Sequence, residues 1–397
     1  MRVLTTRELN RTYLQRQFLS ERIPRQASDV IRHLIAMQGQ EPDSPYLSLW
    51  SRIAGFRHDD LTTLLHDGEV VRGAMLRGTQ HLSTGEDYLW LRPTLQPTLD
   101  RLAGRGVKLD GVDPVQFADA AREILADGPM TRPDLARRLI ERFPGHDRQA
   151  LTYVVHLRLS LLHPPPSGTW GHRGRVLCVP AEDLLGRPLA AGPSPETLVM
   201  RYLAAYGPAS VKDLQVFSGL TRLGALLAEL RPQLRVFKDE NNIDLYDLPD
   251  AILTDPDLPA PVVFLPEFDN AVLGHDDRAR IIHPGDRPLV MPGWSIVRPT
   301  VLVDGFVAAT WSLQGATLTV APFRPLPAAA RAAVEEEGAR LLAFVAPEAG
   351  KAAAGEAAAG EAAPGEAEAS EAEAGKAEIR WEDGSTVGPG FDRSWRP

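Results

Sequence analysis

The feature that most constrains this chain is a local pattern that occurs twice. Gly128-Pro129-Met130-Thr131-Arg132-Pro133-Asp134-Leu135 is matched by Gly207-Pro208-Ala209-Ser210-Val211-Lys212-Asp213-Leu214. In each copy Gly-Pro ends one helix, and Thr or Ser caps the next by accepting a bond from a free backbone N–H. Asp then sits in the first turn, where the helix dipole favours negative charge. The same order of elements is expected around both copies. Helices over 114–126, 131–142 and 147–161 lead to a hairpin within 162–180. Helices over 195–206, 210–218 and 221–230 lead to the alternating stretch LRVFKDENNIDLYDL, turned at Glu240-Asn241-Asn242.

Three helices and a hairpin are the parts of a winged-helix unit, and the N-terminal residues carry the same order. A first helix over 4–21 places Leu9, Tyr13, Leu14, Gln17 and Phe18 on one side and bears Asn10, Arg11 and Arg16. In SDVIRHLIAMQGQEPDSPYLSLW, Val30, Ile31, Leu34, Ile35 and Met37 recur at helical spacing after a cap at Ser28 or Asp29. Pro42 and Pro45 stop that helix, leaving Gln38, Gly39 and Gln40 at its fraying end, where both amides can face one cleft. A short helix over 56–65 and the hairpin VVRGAMLRGTQHLST, 70–84, complete the unit. The fold class is therefore α+β. Three tandem winged-helix units (1–110, 111–190, 191–255) precede a β-rich, barrel-like segment with a last helix over 326–344 (256–347). A low-complexity acidic linker and tail (348–397) ends the chain.

Charge is uneven along this plan. The net charge is −9, yet residues 348–378 alone hold eight acids against two bases. The pentads KAAAG, EAAAG, EAAPG, EAEAS and EAEAG interrupt any helix with Gly, Ser or Pro every fifth residue, so 351–375 reads as a disordered linker. Trp381, Phe391 and Trp395 beyond it read either as a short docking tail or as further disorder. Residues 1–190 carry 25 Lys and Arg against 22 Asp and Glu, and Lys108 is their one lysine. Arginine grips phosphate bidentately and stacks on bases, which suits nucleic acid, although an arginine-rich codon bias gives the same composition.

Other classes fall away. No apolar run reaches membrane-spanning length and the N-terminus has no signal-peptide core, so a cytoplasmic protein is expected. The single Cys178 excludes an intramolecular disulfide and argues against a cysteine-based metal site. No phosphate-binding loop, dinucleotide glycine fingerprint, HExxH or Gly-x-Ser-x-Gly is present. On these motifs alone a non-enzymatic winged-helix DNA-binding protein or transcription regulator is the alternative.

Six blocks then carry a resemblance: LNRTYLQRQFLSER, MQGQEPDSPYLSLWSRI, MLRGTQHLST, RYLAAYGPASVKDLQVFSGL, FLPEFDN and VLVDGFVAATW, in that order between residues 1 and 344. The chain resembles the bacterial AlkZ-like winged-helix DNA glycosylases, which release bulky N7-alkylated purines and unhook interstrand crosslinks. The resemblance implies three winged helices and a barrel-like segment forming a DNA channel. It also implies a catalytic Gln-x-Gln motif, which falls on Gln38 and Gln40 with Gly39 between them. A sister group carries Asp in place of the second Gln. DNA repair of alkylation damage is implied, with double-stranded, alkylated or crosslinked DNA as partner, a monomeric enzyme, a nucleoid location, and no metal or cofactor.

For the chemistry, a purine alkylated at N7 is cationic and leaves as a neutral base. A strong general acid is therefore unnecessary. An amide oxygen orients water and faces the oxocarbenium-like sugar, but it is no general base at neutral pH. Away from the resemblance, the two glutamines read equally as caps on free helix carbonyls. For DNA contact, Arg77 is the candidate on phosphate, with Thr79 and His81 on the lesion strand. Trp170, Arg173 and Arg175 (with His172) are the candidates on a basic, aromatic wing. Each of these also reads as an ordinary turn or a solvated face. Glu267, Asp269 and Asn270 read as a loop satisfied by its own side chains.

Overall fold

The computed structural model describes residues 1–105, 112–293, 296–358 and 377–382, the side chains of 347–358 excepted. It divides into two compact units, Met1–Leu258 with Asp269–Arg280 and Pro259–Phe268 with Ile281–Pro397.

The larger unit is built on a mixed set of helices and one sheet. Its strands are β1 (Met37–Gln38), β2 (Val70–Ala74), β3 (Gln80–Thr84), β4 (Met130–Thr131), β5 (Leu161–Leu162) and β6 (Leu177–Pro180), in the order β1-β3-β2-β5-β6-β4. Hairpin β2–β3 pairs Val70 with Thr84 through Ala74 with Gln80, as its β-branched residues predict. Gly73 opposes Leu162, which joins this hairpin to β5. A Cβ on Gly73 would lie 2.9 Å from the Leu161 carbonyl oxygen, so glycine permits the junction. The second pattern copy forms its own hairpin, β7 (Arg235–Lys238) with β8 (Asp244–Asp247).

The repeated caps form as their chemistry requires. Thr131 accepts from the Asp134 N–H at the head of the Arg132–Arg142 helix, and Ser210 and Asp213 form a reciprocal capping box on the Val211–Ser218 helix. The first helix is shorter than its apolar pattern predicts, Thr6–Arg16, closed by a capping box between Thr5 and Glu8. It is buried around most of its girth. Tyr13 stands edge-on to His275 at 4.8 Å, Tyr202 and Tyr206 stack at 4.9 Å, and Arg16 binds Asp247 bidentately at 2.7 and 2.9 Å. Between the Ala27–His33 helix and β2 stand two helices, Ser44–Trp50 and His58–His66. A 19-residue helix, Gly85–Ala103, follows β3.

The smaller unit carries β9 (Val263–Leu265), β10 (Thr300–Val303), β11 (Phe306–Gln314), β12 (Thr317–Pro322) and β13 (Glu378–Trp381), ordered β13-β12-β11-β10-β9. The expected barrel-like closure is not formed. Among the described residues β9 and β13 are the two edges of an open sheet, because β13 adds in parallel beside β12 rather than joining β9. The last helix, Ala328–Ala358, buries Val334, Leu341, Leu342 and Val345. Gly338 lets it approach the sheet, since a Cβ there would lie 2.9 Å from Leu318 and 3.1 Å from Ile379. The helix does not end near 344 as expected; its backbone continues through the first pentad to Ala358. Alanine propensity outweighs the roughly 1 kcal/mol penalty of a lone glycine there. The remainder of the expected linker, 359–376, lies outside the described residues, as do Phe391 and Trp395. Trp381 docks, donating from Nε1 to Glu335 at 3.0 Å while Arg331 stacks over its ring at 4.3 Å.

Candidate active site

The Gln38-Gly39-Gln40 segment is a strand and its extension, not a helix end. The preceding helix stops at His33 and its N-cap is Gln26, with Ser28 and Asp29 inside the first turn. Ile35 then takes a left-handed conformation, φ 71°, which no β-branched residue adopts without support. The support comes from 40 residues further on. Met37 pairs with Leu82, Gln38 with His81, and the Gly39 N–H donates to the Gln80 carbonyl at 2.9 Å. Asn270 fixes the approach, donating from Nδ2 to the Ala36 carbonyl at 2.8 Å.

Extension changes what the two glutamines can do together. On a strand, residues two apart share a side. Gly39 turns to the packed side, since a Cβ there would fall 2.4 Å from Leu82 Cδ1. Gln38 and Gln40 turn to the other side. Gln38 is 7% exposed and its Oε1 lies 3.2 Å from the Thr79 hydroxyl. Gln40 is exposed, with Oε1 held 3.4 Å from the Gln80 N–H. An amide oxygen has two lone pairs, so each retains acceptor capacity for water or substrate.

Arg72 is the residue that sequence reasoning missed. From β2 its guanidinium reaches the Gly39 carbonyl (2.9 Å), the Ser167 hydroxyl (3.0 Å) and the Gln40 carbonyl (3.3 Å). It is buried, and burial lowers its pKa to about 10, partly offset by the Glu41 charge. It therefore remains protonated at neutral pH and clamps both carbonyls of the motif. Gly168 makes room for it, at a φ of 88° and with a virtual Cβ 2.8 Å from Arg72 Cδ. The signal was legible in principle. A guanidinium at the middle of the apolar strand VVRGA must find acceptors or leave the core.

The other candidates have the following places. Arg77 sits at the β2–β3 connection with φ 56° and donates to the Phe217 carbonyl at 2.9 Å, the negative end of the Val211–Ser218 helix. Burial lowers its pKa to about 10. His81 is fully buried and its Nδ1 lies 2.9 Å from the Thr79 carbonyl oxygen, so that nitrogen carries the proton. Its Nε2 has no partner among the described residues. Trp170 packs edge-on against His58 at 4.4 Å and Tyr46 at 5.6 Å. Arg173 binds Asp43 at 2.6 Å, and the same carboxylate accepts from the Gly171 N–H at 2.7 Å. These residues belong to the long 163–176 connection between β5 and β6 rather than to a tight wing, and it is tied back onto the Ser44–Trp50 helix. Arg175 is exposed. Asp269 is buried against Arg52 (2.9 and 3.0 Å) and Ser48 (2.6 Å), so that loop is satisfied internally.

The buried His81 gives a pH prediction. Burial, reinforced by the Arg77 charge, lowers its pKa to about 3; burial lowers His275 to about 3 as well. Both stay neutral in the folded chain, whereas their unfolded counterparts take up a proton near pH 6.5. The unfolded state then binds more protons, so stability falls as pH falls through 6.5 towards 3. The two together remove about 2–3 kcal/mol between pH 7 and 5.5. Denaturant titrations at the two pH values measure the loss. Flat imidazole NMR shifts for His81 across that window are the signature, and a midpoint near 6.5 would contradict it.

Comparison with known proteins places the whole assembly. The family model "DNA glycosylase AlkZ-like" matches residues 31–344. The interstrand DNA cross-link repair glycosylase of Streptomyces sahachiroi is 26% identical over 364 residues, 83% of this chain and 93% of that protein. The solved structure of Streptomyces sahachiroi DNA glycosylase AlkZ shares the fold, with a TM-score of 0.72 at 23% identity over 87% of this chain and 97% of that one. With its strand-borne Gln38 and Gln40, this chain belongs to the AlkZ-like family of DNA glycosylases.

Proposed function

We propose that the protein is a monofunctional DNA glycosylase acting on bulky, cationic N7-alkylated purines, including those of interstrand crosslinks, with Gln38 and Gln40 positioning the hydrolytic water. The observation that carries this reading is the extended Gln38-Gly39-Gln40 segment, clamped by Arg72 and paired to β3, which puts two amides on one side of a rigid backbone. The substrate supplies the driving force, because departure of the base discharges its cation. The amide oxygens orient water at the anomeric carbon and set partial negative charge against the developing oxocarbenium. No proton need be delivered to the leaving purine. Unmodified guanine and adenine, which need one, are inert.

The wider reading is three winged-helix units that hold DNA by its phosphates. In support, the Pro114–Leu125, Arg132–Arg142 and Arg148–Arg158 helices with β4, β5 and β6 follow the winged-helix order. Arg105, Arg132 and Arg148 line an open groove at the start of the Arg148–Arg158 helix. Arg175 is the candidate phosphate contact of the neighbouring loop.

The test is an oligonucleotide duplex with one N7-methylguanine and a second duplex joined by an N7-linked crosslink. Each is incubated with the full chain and treated with alkali. Strand scission at the modified base, absent from the unmodified duplex, is expected. Binding to both duplexes without scission of either overturns the catalytic reading in favour of a DNA-binding protein.

A further inference from the structure

Three side chains that the glycosylase chemistry does not use converge in the core of the larger unit. His156 lies near the end of the Arg148–Arg158 helix, His163 just after β5, and Cys178 in β6. They are 5%, 3% and 0% exposed. One ring nitrogen of each histidine and the cysteine sulfur all lie within 4.8 Å of one another. The sulfur is 3.8 Å from His156 Nε2, and the two rings stack at 5.3 Å with a 29° tilt.

We infer that His156, His163 and Cys178 form a binding site for one soft d10 metal cation. Both histidines are already oriented as ligands. His156 Nδ1 lies 2.8 Å from the Thr152 carbonyl oxygen and His163 Nδ1 lies 2.8 Å from that of Leu177. A carbonyl only accepts, so each Nδ1 bears the proton and each Nε2 is left with its lone pair. That is the arrangement in which backbone carbonyls fix the tautomer of metal-bound imidazoles. Burial keeps both rings neutral, lowering His156 to about 4 and His163 further. The thiol, pushed up to about 12 by burial, can donate its single proton to one imidazole at most; a cation displaces that proton and engages all three donors.

The donor set selects the ion. Two imidazoles and a thiolate suit Zn(II) or Cu(I) and not Mg(II) or Ca(II). Zn(II) asks for a fourth ligand and leaves a net positive charge. Arg132, whose charge lowers all three pKa values, opposes that surplus. Cu(I) with one thiolate is neutral and accepts three donors, so it ranks first. The consequence is mechanical. The His163 N–H donates to the Arg72 carbonyl at 2.9 Å, so the ion would fasten β5 and β6 directly behind the strand residue that holds the glutamine motif.

The experiment uses the purified full chain, exposed anaerobically to Cu(I) in one arm and to Zn(II) in the other, both in the native state and during refolding. One equivalent per chain by mass spectrometry of the metal, a sulfur-to-metal charge-transfer band and a rise of several degrees in Tm are expected. Because Cys178 is the chain's single thiol, that band identifies the ligand without mutation. Cys178→Ala and His163→Phe, checked for folding by circular dichroism, should each abolish stoichiometric uptake. Uptake by the Zn(II) arm alone supports the site and reverses the ranking. Folded wild-type protein that takes up neither ion by either route overturns the proposal. Glycosylase activity is not the readout, so the outcome is independent of the proposed function.

Discussion

Gln40→Ala lowers the single-turnover rate of N7-alkylguanine excision by about 10²-fold, the loss typical when one preorganised polar group is removed from a developing charge. Single-turnover conditions separate this step from product release. Gln40 is exposed, and its printed contact is a long one to the Gln80 N–H, so truncation leaves Tm nearly unchanged. Gln38→Ala produces a comparable kinetic loss and, in addition, about 1 kcal/mol of destabilisation, because the Thr79 hydroxyl loses its amide partner. DNA affinity should stay within about threefold of wild type in both variants, since the phosphate contacts lie elsewhere. If the glutamines act on one water, the double variant falls little below the worse single one. Excision by Gln40→Ala at the wild-type rate would falsify its role.

The two variants differ because the two glutamines differ in burial, and that difference was not visible in the sequence. Periodicity from Val30 to Met37 fits a helix because a short apolar run bordering a strand looks the same as one bordering a turn. The deciding interaction is the pairing of residues 37–39 with β3, which no local window contains. What was legible was local. The Thr131 and Ser210 caps depend on residues three apart, and the β2–β3 hairpin on β-branched alternation around a glycine turn. The barrel-like expectation failed for the converse reason. Strand existence is local, but closure depends on where a C-terminal strand docks, and β13 docks beside β12. Trp170 and Arg173 show the same limit on the surface. Their residue types suit DNA, while their partners, His58, Tyr46 and Asp43, lie more than a hundred residues away.

Arg72→Met should be the most damaging substitution in the motif's surroundings, although Arg72 itself touches no proposed reacting atom. Methionine keeps the length and apolar stem but leaves the Gly39 and Gln40 carbonyls and the Ser167 hydroxyl without their donor. Each buried acceptor left unsatisfied costs about 1–3 kcal/mol, so a loss of about 3 kcal/mol is expected in denaturant titration. The kinetic effect follows from geometry. Without the clamp the backbone of Gln38-Gly39-Gln40 is fixed by its β3 edge alone, and a misplacement of about 1 Å is enough for a 10²-fold loss in rate. Arg72→Lys separates charge from shape: an ammonium reaches one carbonyl at a time, so it restores part of the stability and less of the rate. Ser167→Ala is the control, losing about 1 kcal/mol while the two carbonyls keep their donor. A purely structural role for Arg72 predicts that rate follows stability along this series. A positioning role predicts that Arg72→Met and Arg72→Lys lose excision rate well beyond Ser167→Ala, at a temperature where all three are folded and with DNA affinity unchanged. Wild-type excision by folded Arg72→Met would remove the clamp from the mechanism and leave the pairing with β3 as the sole determinant of the motif's geometry.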